Sequence, residues 1–430
     1  MKCGAIRGII GGKIPFDPNI MFIHMFVLVF DQKYLHGIKI HAMMKNKVHI
    51  RGEKMKKIVL IGPVYPYKGG IAHYTSLLYQ ALICKFEVEL ISFQMQYPKF
   101  LFRKEQKDYR NDMFRVSEAQ FLINTANPIN IILTAQKIKK KKPDLVILQW
   151  WHPYFAPCYR ILEAALGKRV KKMFICHNVF PHERFPMDKF LTKIVLKNAD
   201  FFIVHAQSDG ADLLTIKPDA QLRQNPHPTY HAFRLRGITK IQARQELAKD
   251  PEEKLLLFFG FVRDYKGLRY LIQALSQIKK ELDTVKLMIV GAFGNDKEEY
   301  LQLIKSCDVE DCVEVTDGYT PDNEVEKYFA ACDLVVLPYE SATQSGIVQI
   351  AYGFEKPVIV TNVGGLPDVV IDKKTGYIVE PRNPQQLAQA VIAYYKEGME
   401  ERFVENVRKE AYRFSWDRMT EKVEELLQNE

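Results

Sequence analysis

From Met55 onward, short apolar segments alternate with stretches whose apolar residues recur at helical spacing. In the first half, the predicted strands are 58–61, 88–91, 145–149, 172–176 and 201–204, with a helix at about 71–83. In the second half, the predicted strands are 254–260, 286–290, 312–315, 334–337, 358–361 and 377–379, and the predicted helices are 267–282, 297–306, 321–331, 345–354, 384–396 and 399–412. This alternation predicts parallel α/β architecture.

The chain has 430 residues, which is enough for two domains of ordinary size. Residues 228–252 are polar and charged, and Pro226 and Pro228 interrupt regular structure just before them. We therefore predict a domain boundary there, with one Rossmann-like domain at 55–230 and another at 231–414. Ser415 is the predicted N-cap of a final helix.

Residues 1–54 differ from the rest, with scattered glycine and methionine and one short apolar run at 20–30. No small-residue cleavage site follows that run, so a signal peptide is not indicated. The segment 51–54 resembles a translated ribosome-binding site, and Met55 begins a clean strand. We hypothesise that translation starts at Met55, and a native peptide from 1–54 detected by mass spectrometry would contradict this. A peripheral membrane anchor at 21–30 is the alternative.

The amino-acid composition limits the classes of protein to which the chain can belong. Hydrophobic residues make up 47% and charged residues 26%, as in soluble globular proteins, and no apolar run is long enough to span a membrane. The net charge of +10 favours anionic partners: nucleotide phosphates, lipid headgroups or nucleic acid. The seven cysteines are scattered without zinc-binding spacing, which predicts a reducing, cytoplasmic setting and no metal site.

The segment 338–370 carries the strongest signal of a binding site. Thr343, Gln344, Ser345 and Gly346 form a turn of small polar residues before a predicted helix, and free N–H groups at a helix N-terminus suit a phosphate. The pair Gly364-Gly365 (364–365) after the next strand would let another ligand approach the backbone. Two such turns predict a crevice at the carboxyl ends of parallel strands.

Three further motifs precede this segment. The first is the loop 66–70, which ends in Gly69 and Gly70. The second is the pair His177 and Asn178, which follows a predicted strand. The third is the segment 260–267, with the sequence Gly-Phe-Val-Arg-Asp-Tyr-Lys-Gly. Arg263 and Lys266 place two cations beyond a strand end, where they suit an anionic group. Each motif alone could be an ordinary turn or a solvated loop.

Together the four motifs resemble the retaining glycosyltransferases of family 4, and the resemblance extends over nearly the whole chain from Met55. It implies the GT-B fold, in which two Rossmann-like parallel-sheet domains face each other across a cleft. It also implies a nucleotide-sugar as co-substrate, no cofactor and no metal. The last helix, 415–430, would cross back to pack on the N-terminal domain.

The resemblance also assigns roles to residues. The expected catalytic set is His177, Arg263, Lys266 and Glu340. The expected donor-binding set is Gly69, Gly70, Asn178, Gly260, Thr343, Gln344, Ser345, Gly346 and Gln349.

The chain departs from the family at its signature of two glutamates separated by seven residues. Those positions hold Thr343 and Ala351 in one register, or Ala342 and Ile350 in the other. Glu340 is then the candidate for the sugar and Gln349 the candidate for the ribose.

Two segments of the N-terminal domain bear on the acceptor. Lysines at 137 and 139–142 form a basic run, and 97–104 mixes aromatic with basic residues. These segments are either solvated faces or contacts to an anionic membrane surface. The aromatic run 150–154 could line the acceptor cleft or pack in the core.

The leading hypothesis is a glycosyltransferase that builds cell-surface polysaccharide, acting on a glycan or polyprenyl-linked acceptor at the inner face of the plasma membrane. A nucleotide-sugar epimerase or phosphorylase on the same fold is one alternative. A catalytically silent nucleotide-binding subunit is another, because the glutamates are missing. Nucleic-acid binding has only the net charge in its favour, since the sequence contains no recognised nucleic-acid-binding module.

Overall fold

The computed structural model describes residues 55–102, 105–109, 112–181 and 186–428. The hypotheses about residues 1–54 lie outside these residues. Lys56–Leu82 and Phe86–Glu430 belong to one compact unit, and both sheets of the protein lie within it.

The first sheet is wholly parallel, and its described strands run in the order β3-β2-β1-β4-β5-β6-β7. They are β1 (Lys57–Ile61), β2 (Glu87–Met95), β3 (Gln120–Asn124), β4 (Leu145–Trp150), β5 (Lys171–Cys176), β6 (Phe201–Val204) and β7 (Gln221–Gln224). The central strands are continuously apolar because helices cover both faces of a parallel sheet.

The second sheet repeats the scheme in the order β10-β9-β8-β11-β12-β13. Its strands are β8 (Lys254–Phe259), β9 (Val285–Gly291), β10 (Val313–Asp317), β11 (Leu334–Leu337), β12 (Val358–Thr361) and β13 (Gly376–Val379). We call each sheet with its helices a lobe, N-terminal and C-terminal. Two Rossmann-like parallel sheets confirm the predicted GT-B fold.

The helices lie between the strands or follow β13. They are α1 (Gly70–Leu82), α2 (Pro128–Lys140), α3 (Ala156–Leu166), α4 (Asp188–Leu196), α5 (Gln207–Ile216), α6 (Lys240–Glu246), α7 (Leu268–Glu281), α8 (Lys297–Ser306), α9 (Asp322–Ala331), α10 (Gly346–Gly353), α11 (Leu366–Val369), α12 (Pro384–Lys396), α13 (Glu400–Glu410) and α14 (Trp416–Gln428). Within the described residues, no helix is both long enough and apolar enough to cross a bilayer.

The last helix packs against the N-terminal lobe, on α1 and β7. Its start is capped as predicted, because Oγ of Ser415 accepts a hydrogen bond of 3.0 Å from the backbone N–H of Arg418. Glu425 pairs with Arg223 of β7 at 3.1 Å, and the carbonyl of Leu427 accepts a hydrogen bond from Lys56. The last described helix therefore packs on the lobe that contains β1.

Candidate functional site

The strand order of the C-terminal lobe positions the candidate site. Strand β9 pairs with one edge of β8, and β11 pairs with the other edge. The connections that follow β8 and β11 therefore run in opposite directions, and this opens a crevice at the carboxyl ends of the two strands. The loops that follow these two strands, residues 260–267 and 338–345, are the ones that sequence analysis selected.

Gly267 joins the two loops. Its φ of +65° is left-handed, and a Cβ at this position would lie 1.9 Å from the carbonyl oxygen of Pro338. Only glycine can adopt this backbone without a clash. The backbone N–H of Glu340 also donates a hydrogen bond of 2.8 Å to the carbonyl of Tyr265. The loop after β8 is thereby held against the loop after β11.

Lys266 is held above an aromatic ring by this arrangement. Its Nζ lies 3.9 Å from the centroid of the buried Tyr339 ring, in cation–π geometry. The hydroxyl of Tyr339 is 3.2 Å from Oγ of Ser345, the N-cap residue of α10. One tyrosine therefore has an ammonium group over its ring and the N-cap residue of a helix at its hydroxyl. Both attract anions.

The N-terminal lobe contributes the end of β5 to the same region. Nε2 of Gln344 donates a hydrogen bond of 3.4 Å to the carbonyl of His177 and one of 3.1 Å to Oδ2 of Asp209. Asp209 is buried at the start of α5, and that burial raises its pKa to about 6 against the lowering effect of the Gln344 bond. The turn before α10 thus bonds directly to the loop after β5 and to the first turn of α5.

His177 lies in a cluster of histidine rings. Its Nε2 is 2.7 Å from Oε1 of Gln149, and its ring packs edge-on against Tyr74. Desolvation lowers the pKa of His177 well below its usual value, and the neighbouring His205 and His227 lower it further. The imidazole is therefore neutral near pH 7, so it can accept or donate a hydrogen bond but carries no positive charge there.

The glycine loop after β1 reaches the start of α10 through Tyr230. The hydroxyl of Tyr230 donates to the carbonyl of Gly70 at 3.4 Å, and a Cβ on Gly346 would lie 3.9 Å from its ring. Gly69 has a φ of +106°, and added methyl groups on Gly69 and Gly70 would meet no atom within 4 Å. The space beside these two glycines is thus open to a ligand.

Arg263 and Gly260 lie on the same loop as Lys266. The guanidinium of Arg263 donates to the carbonyl of Val262 and lies 5.9 Å from the ring of Phe261. Gly260 is left-handed, with a φ of +112°, and a Cβ there would lie 3.7 Å from Ile347 in the first turn of α10. The backbone of Gly260 is therefore adjacent to the helix N-terminus.

Three predicted residues have surroundings that refine their proposed roles. The carboxylate of Glu340 is already engaged, with Arg382 at 2.7 Å and the hydroxyl of Tyr270 at 3.1 Å. Gln349 is 1% exposed, and its Oε1 accepts no hydrogen bond from the described residues. Oδ1 of Asn178 is buried and likewise unpartnered in the described part of the chain. The two unpartnered oxygens have capacity for a ligand.

The pair Gly364-Gly365 serves a different purpose from the one predicted. A Cβ on Gly364 would lie 1.5 Å from the carbonyl oxygen of Ala342, and one on Gly365 would lie 2.7 Å from the Cβ of Ala206. The close approach that these glycines permit is to the chain itself, because the loop after β11 occupies that space. Gly365 also donates a hydrogen bond to the carbonyl of Thr343.

Sequence reasoning missed Tyr339, Asp209 and Tyr230, which connect the predicted residues. Tyr339 lies inside the segment 338–370, but an apolar ring after a strand gives no sign of a cation above it. Asp209 and Tyr230 act through contacts between the lobes, which spacing along one chain does not reveal. Trp150 of the aromatic run is fully buried, and its indole N–H donates to the carbonyl of Val179, so it belongs to the core.

Comparison with known proteins agrees with this geometry. Residues 239–410, less than half of the chain, match the family model described as glycosyl transferases group 1. An uncharacterized glycosyltransferase of Methanocaldococcus jannaschii is 33% identical over 183 residues, which are 41% of this chain and 45% of that protein. The lipopolysaccharide 1,2-N-acetylglucosaminetransferase of Salmonella typhimurium is 24% identical over 43% of this chain and 51% of its own length. The chain spans about half the length of these curated relatives.

Solved structures share the fold over both lobes. Anabaena Alr3699/HepE, in a complex with UDP, has a TM-score of 0.66 at 18% identity, covering 87% of this chain and 100% of that one. Sucrose-phosphate synthase of Thermosynechococcus elongatus has a TM-score of 0.64 at 18% identity, covering 87% and 98%. These likenesses show the GT-B fold. With the family match, they support a place for the chain in the group 1 glycosyltransferase superfamily.

Proposed function

We propose that this protein transfers a sugar from a nucleotide-sugar to an acceptor hydroxyl, with retention of the anomeric configuration. The observation that carries the proposal is Lys266 above Tyr339, whose hydroxyl meets Ser345 at the start of α10. This is a binding site for a diphosphate built from one cation and one helix N-terminus. The group 1 family match and the complex of Anabaena Alr3699/HepE with UDP support it.

The chemistry follows from the charges. The bond between the anomeric carbon and the diphosphate oxygen breaks, the acceptor oxygen forms a new bond to that carbon, and the proton of the acceptor hydroxyl passes to the departing diphosphate oxygen. Negative charge grows on the departing nucleoside diphosphate, where Lys266 and the free N–H groups of α10 stabilise it. Since Lys266 and Arg263 supply positive charge, the proposal requires no metal. Neutral His177 takes the role of a hydrogen-bonding partner of the sugar or its phosphate.

The acceptor in this proposal is a glycan or a polyprenyl-linked sugar of the cell surface, met on the cytoplasmic side of the membrane. The Salmonella relative, a lipopolysaccharide 1,2-N-acetylglucosaminetransferase, supports this class of acceptor. Gln349 is proposed to donate or accept a hydrogen bond at the nucleotide ribose. Its buried Oε1, which has no hydrogen-bond partner among the described residues, lies one turn into α10.

A direct test combines donor binding with transfer. A thermal-shift panel of nucleotide-sugars identifies the donor, and calorimetry with UDP then compares the parent with Lys266→Ala. We expect the substitution to weaken binding by about ten- to hundredfold, the loss of one charge-assisted contact. Lys280→Ala, an exposed lysine at the far end of α7, is the matched control. Equal affinities of both variants would contradict the proposed diphosphate site.

Product analysis separates transfer from the other enzyme activities. Incubation with a labelled donor and an acceptor should move the label to the acceptor with the donor's anomeric configuration, as read by NMR. A free epimerised donor would indicate an epimerase, and label found only on phosphate would indicate a phosphorylase.

A second candidate is a catalytically silent nucleotide-binding subunit. One observation favours it: the carboxylate of Glu340, which stands nearest to the missing glutamates, is engaged by Arg382 and Tyr270. In that case UDP binds and Lys266→Ala weakens that binding, yet the protein neither transfers the sugar to any acceptor nor slowly hydrolyses the donor.

A further inference from the structure

Gln149 is a polar residue in a strand that is otherwise apolar. It lies in β4, whose sequence is Leu-Val-Ile-Leu-Gln-Trp, and all six residues of this strand are buried. Its side-chain nitrogen Nε2 is buried as well and has no hydrogen-bond partner among the described residues. An amide nitrogen left unpaired in the core costs stability, so packing alone does not explain a glutamine at this position.

The pairing of β4 with β5 places Gln149 beside His177. Gln149 is opposite Ile175 in the parallel ladder, and the backbone N–H of His177 continues that ladder by donating to the carbonyl of Trp150 at 2.9 Å. Because side chains alternate between the two faces of a sheet, His177 lies on the same face as Gln149. The result is the contact of 2.7 Å between Oε1 of Gln149 and Nε2 of His177.

Gly62 provides the space that Gln149 occupies. It follows β1, which pairs with β4 on the side away from β5. A Cβ on Gly62 would lie 2.7 Å from Cγ of Gln149 and 2.7 Å from Oγ1 of Thr75. Only glycine permits this close approach. The side chain of Gln149 is therefore confined between Gly62 and the ring of His177.

The contact determines which ring nitrogen of His177 carries the proton. An amide oxygen only accepts hydrogen bonds, so Nε2 of His177 is the protonated nitrogen. Burial lowers the pKa of His177 well below its ordinary value, and the ring therefore has a single proton near pH 7. Nδ1 then has a lone pair and no hydrogen. The ring of Tyr74, edge-on at 4.6 Å between centroids, fixes the plane of the imidazole.

We propose that Gln149 is a positioning residue for the transfer reaction. It keeps the proton of His177 on Nε2, and so makes Nδ1 a hydrogen-bond acceptor for a hydroxyl group of the transferred sugar. A phosphate oxygen would set one lone pair against another at Nδ1, so the diphosphate is not the partner of this nitrogen. The inference rests on the proposed function, and it decides between the two partners of His177 that are named there.

Nitrogen NMR of the full chain, labelled at its histidines, tests the position of the proton without any turnover. Two-bond correlations between ring hydrogens and ring nitrogens distinguish the tautomers, and the signals that His177→Asn removes are those of His177. We expect the parent to carry the proton on Nε2 near pH 7. A proton on Nδ1 in an active protein would overturn this proposal alone. If the parent transfers no sugar, the proposed function fails first, and the role of Gln149 fails with it.

Gln149→Leu removes the acceptor with little change in size. We expect the proton of His177 to move at least in part to Nδ1, and kcat/KM for the donor to fall about tenfold through the loss of one hydrogen bond. UDP has no sugar to meet His177, so its affinity should stay within about twofold of that of the parent. A kcat/KM equal to that of the parent would overturn the proposal.

Gln149→Glu makes the opposite change. Its carboxylate still accepts from Nε2, but it raises the pKa of His177 because a nearby negative charge favours the imidazolium. A protonated Nδ1 cannot accept a hydrogen bond. The kcat/KM of this variant should therefore fall as the pH is lowered from about 9 to about 6, while that of the parent changes much less. A merely structural role for Gln149 does not predict this difference between the pH profiles.

Ser92→Ala is the matched control. Ser92 is a buried residue of β2 whose Oγ has no hydrogen-bond partner within the described part of the chain, so this variant also removes an unpaired polar group from the first sheet. Its histidine spectrum, pH profile and kcat/KM should be those of the parent. If Ser92→Ala reproduces the loss seen in Gln149→Leu, or if Gln149→Glu has the pH profile of the parent, the proposal is overturned.

Discussion

Nε2 of His73 lies 2.8 Å from Oδ2 of Asp322, and this pair joins α1 of the N-terminal lobe to the first turn of α9 in the C-terminal lobe. Both side chains are largely buried, and the His73 ring packs against Phe114 and Phe233. A buried polar contact between lobes stabilises their present arrangement only while both partners are in place, because either one alone would be desolvated without compensation.

Removing either partner of this pair should therefore destabilise the protein. We expect His73→Leu and Asp322→Leu each to lower the free energy of unfolding by about 1–3 kcal/mol. The double variant should lose less free energy of unfolding than the two single variants together, and the difference, which is the coupling energy, should be about 0.5–3 kcal/mol. Urea unfolding of the four proteins measures the cycle. Strict additivity would mean that the two residues are not coupled.

Gly267 offers a sharper test of the site's geometry. Gly267→Ala forces a left-handed φ on alanine and places its Cβ 1.9 Å from the carbonyl oxygen of Pro338. Gly237 has nearly the same φ, +63° against +65°, but a Cβ there would meet nothing within 4 Å. Gly237→Ala should cost about 1 kcal/mol in the free energy of unfolding, the left-handed penalty alone.

Gly267→Ala should cost at least about 2 kcal/mol more than that control, because overpacking is added to the backbone penalty. It should also weaken UDP binding, since Lys266 is displaced with its loop. Urea unfolding and calorimetry with UDP give the two readings. Equal stabilities of the two glycine variants would show that Pro338 does not hold the loop.

Much of the fold can be predicted from the sequence because the central strands are buried on both faces. Leu334–Leu337 and Val358–Thr361 are continuous apolar runs, and both were predicted with the bounds that the structure has. Gln120–Asn124 and Gln221–Gln224 were missed. These strands lie at the two edges of the first sheet, where one side is unpaired and polar residues are tolerated.

The candidate site was legible only in part, for a related reason. Lys266 and Ser345 follow β8 and β11, which are neighbours in the second sheet, so the topology of that sheet brings them to one edge, whereas Gly69 follows a strand of the first sheet. The bonds that join the lobes, from Gln344 to His177 and Asp209, depend on how two separate sheets meet. The pattern of residues along the chain does not show how the two sheets pack against each other. Gly364 and Gly365 pack against residues 342–343, in the loop after the neighbouring strand β11, and the sequence pattern did not indicate this contact.

Tyr339 should contribute to anion binding through its ring and not through its hydroxyl. Tyr339→Phe keeps the aromatic face under Lys266 and removes the contact with Ser345, so we expect UDP affinity to stay within about threefold. Tyr339→Leu removes the ring, and the loss of a cation–π contact of about 1–2 kcal/mol predicts about five- to thirtyfold weaker binding. Calorimetry with UDP compares the three proteins. A large loss in Tyr339→Phe would instead assign the role to the hydroxyl.

The histidine cluster should make the stability of the protein dependent on pH. Burial lowers the pKa of His205 to about 4 and that of His227 to about 3, with His205 as a further cause at His227. In the unfolded chain, histidine side chains are protonated below about pH 6.5. In the folded chain, His205 and His227 stay neutral until the pH reaches their lower pKa values. The stability contributed by the neutral rings is therefore complete above about pH 6.5 and is lost as the pH falls from there toward 4.

The raised pKa of Asp209 acts in the opposite direction, because the folded chain takes up that proton more readily as the pH falls toward 5. A single variant separates the two effects. His205→Asn keeps a donor for the carbonyl of Asn225, which Nδ1 of His205 contacts at 2.7 Å, and it removes one titrating ring. Between pH 7 and pH 5, the parent should lose about 2 kcal/mol of unfolding free energy relative to this variant. Urea unfolding at the two pH values measures the difference. A difference that is the same at both pH values would mean that His205 is not held neutral in the folded protein.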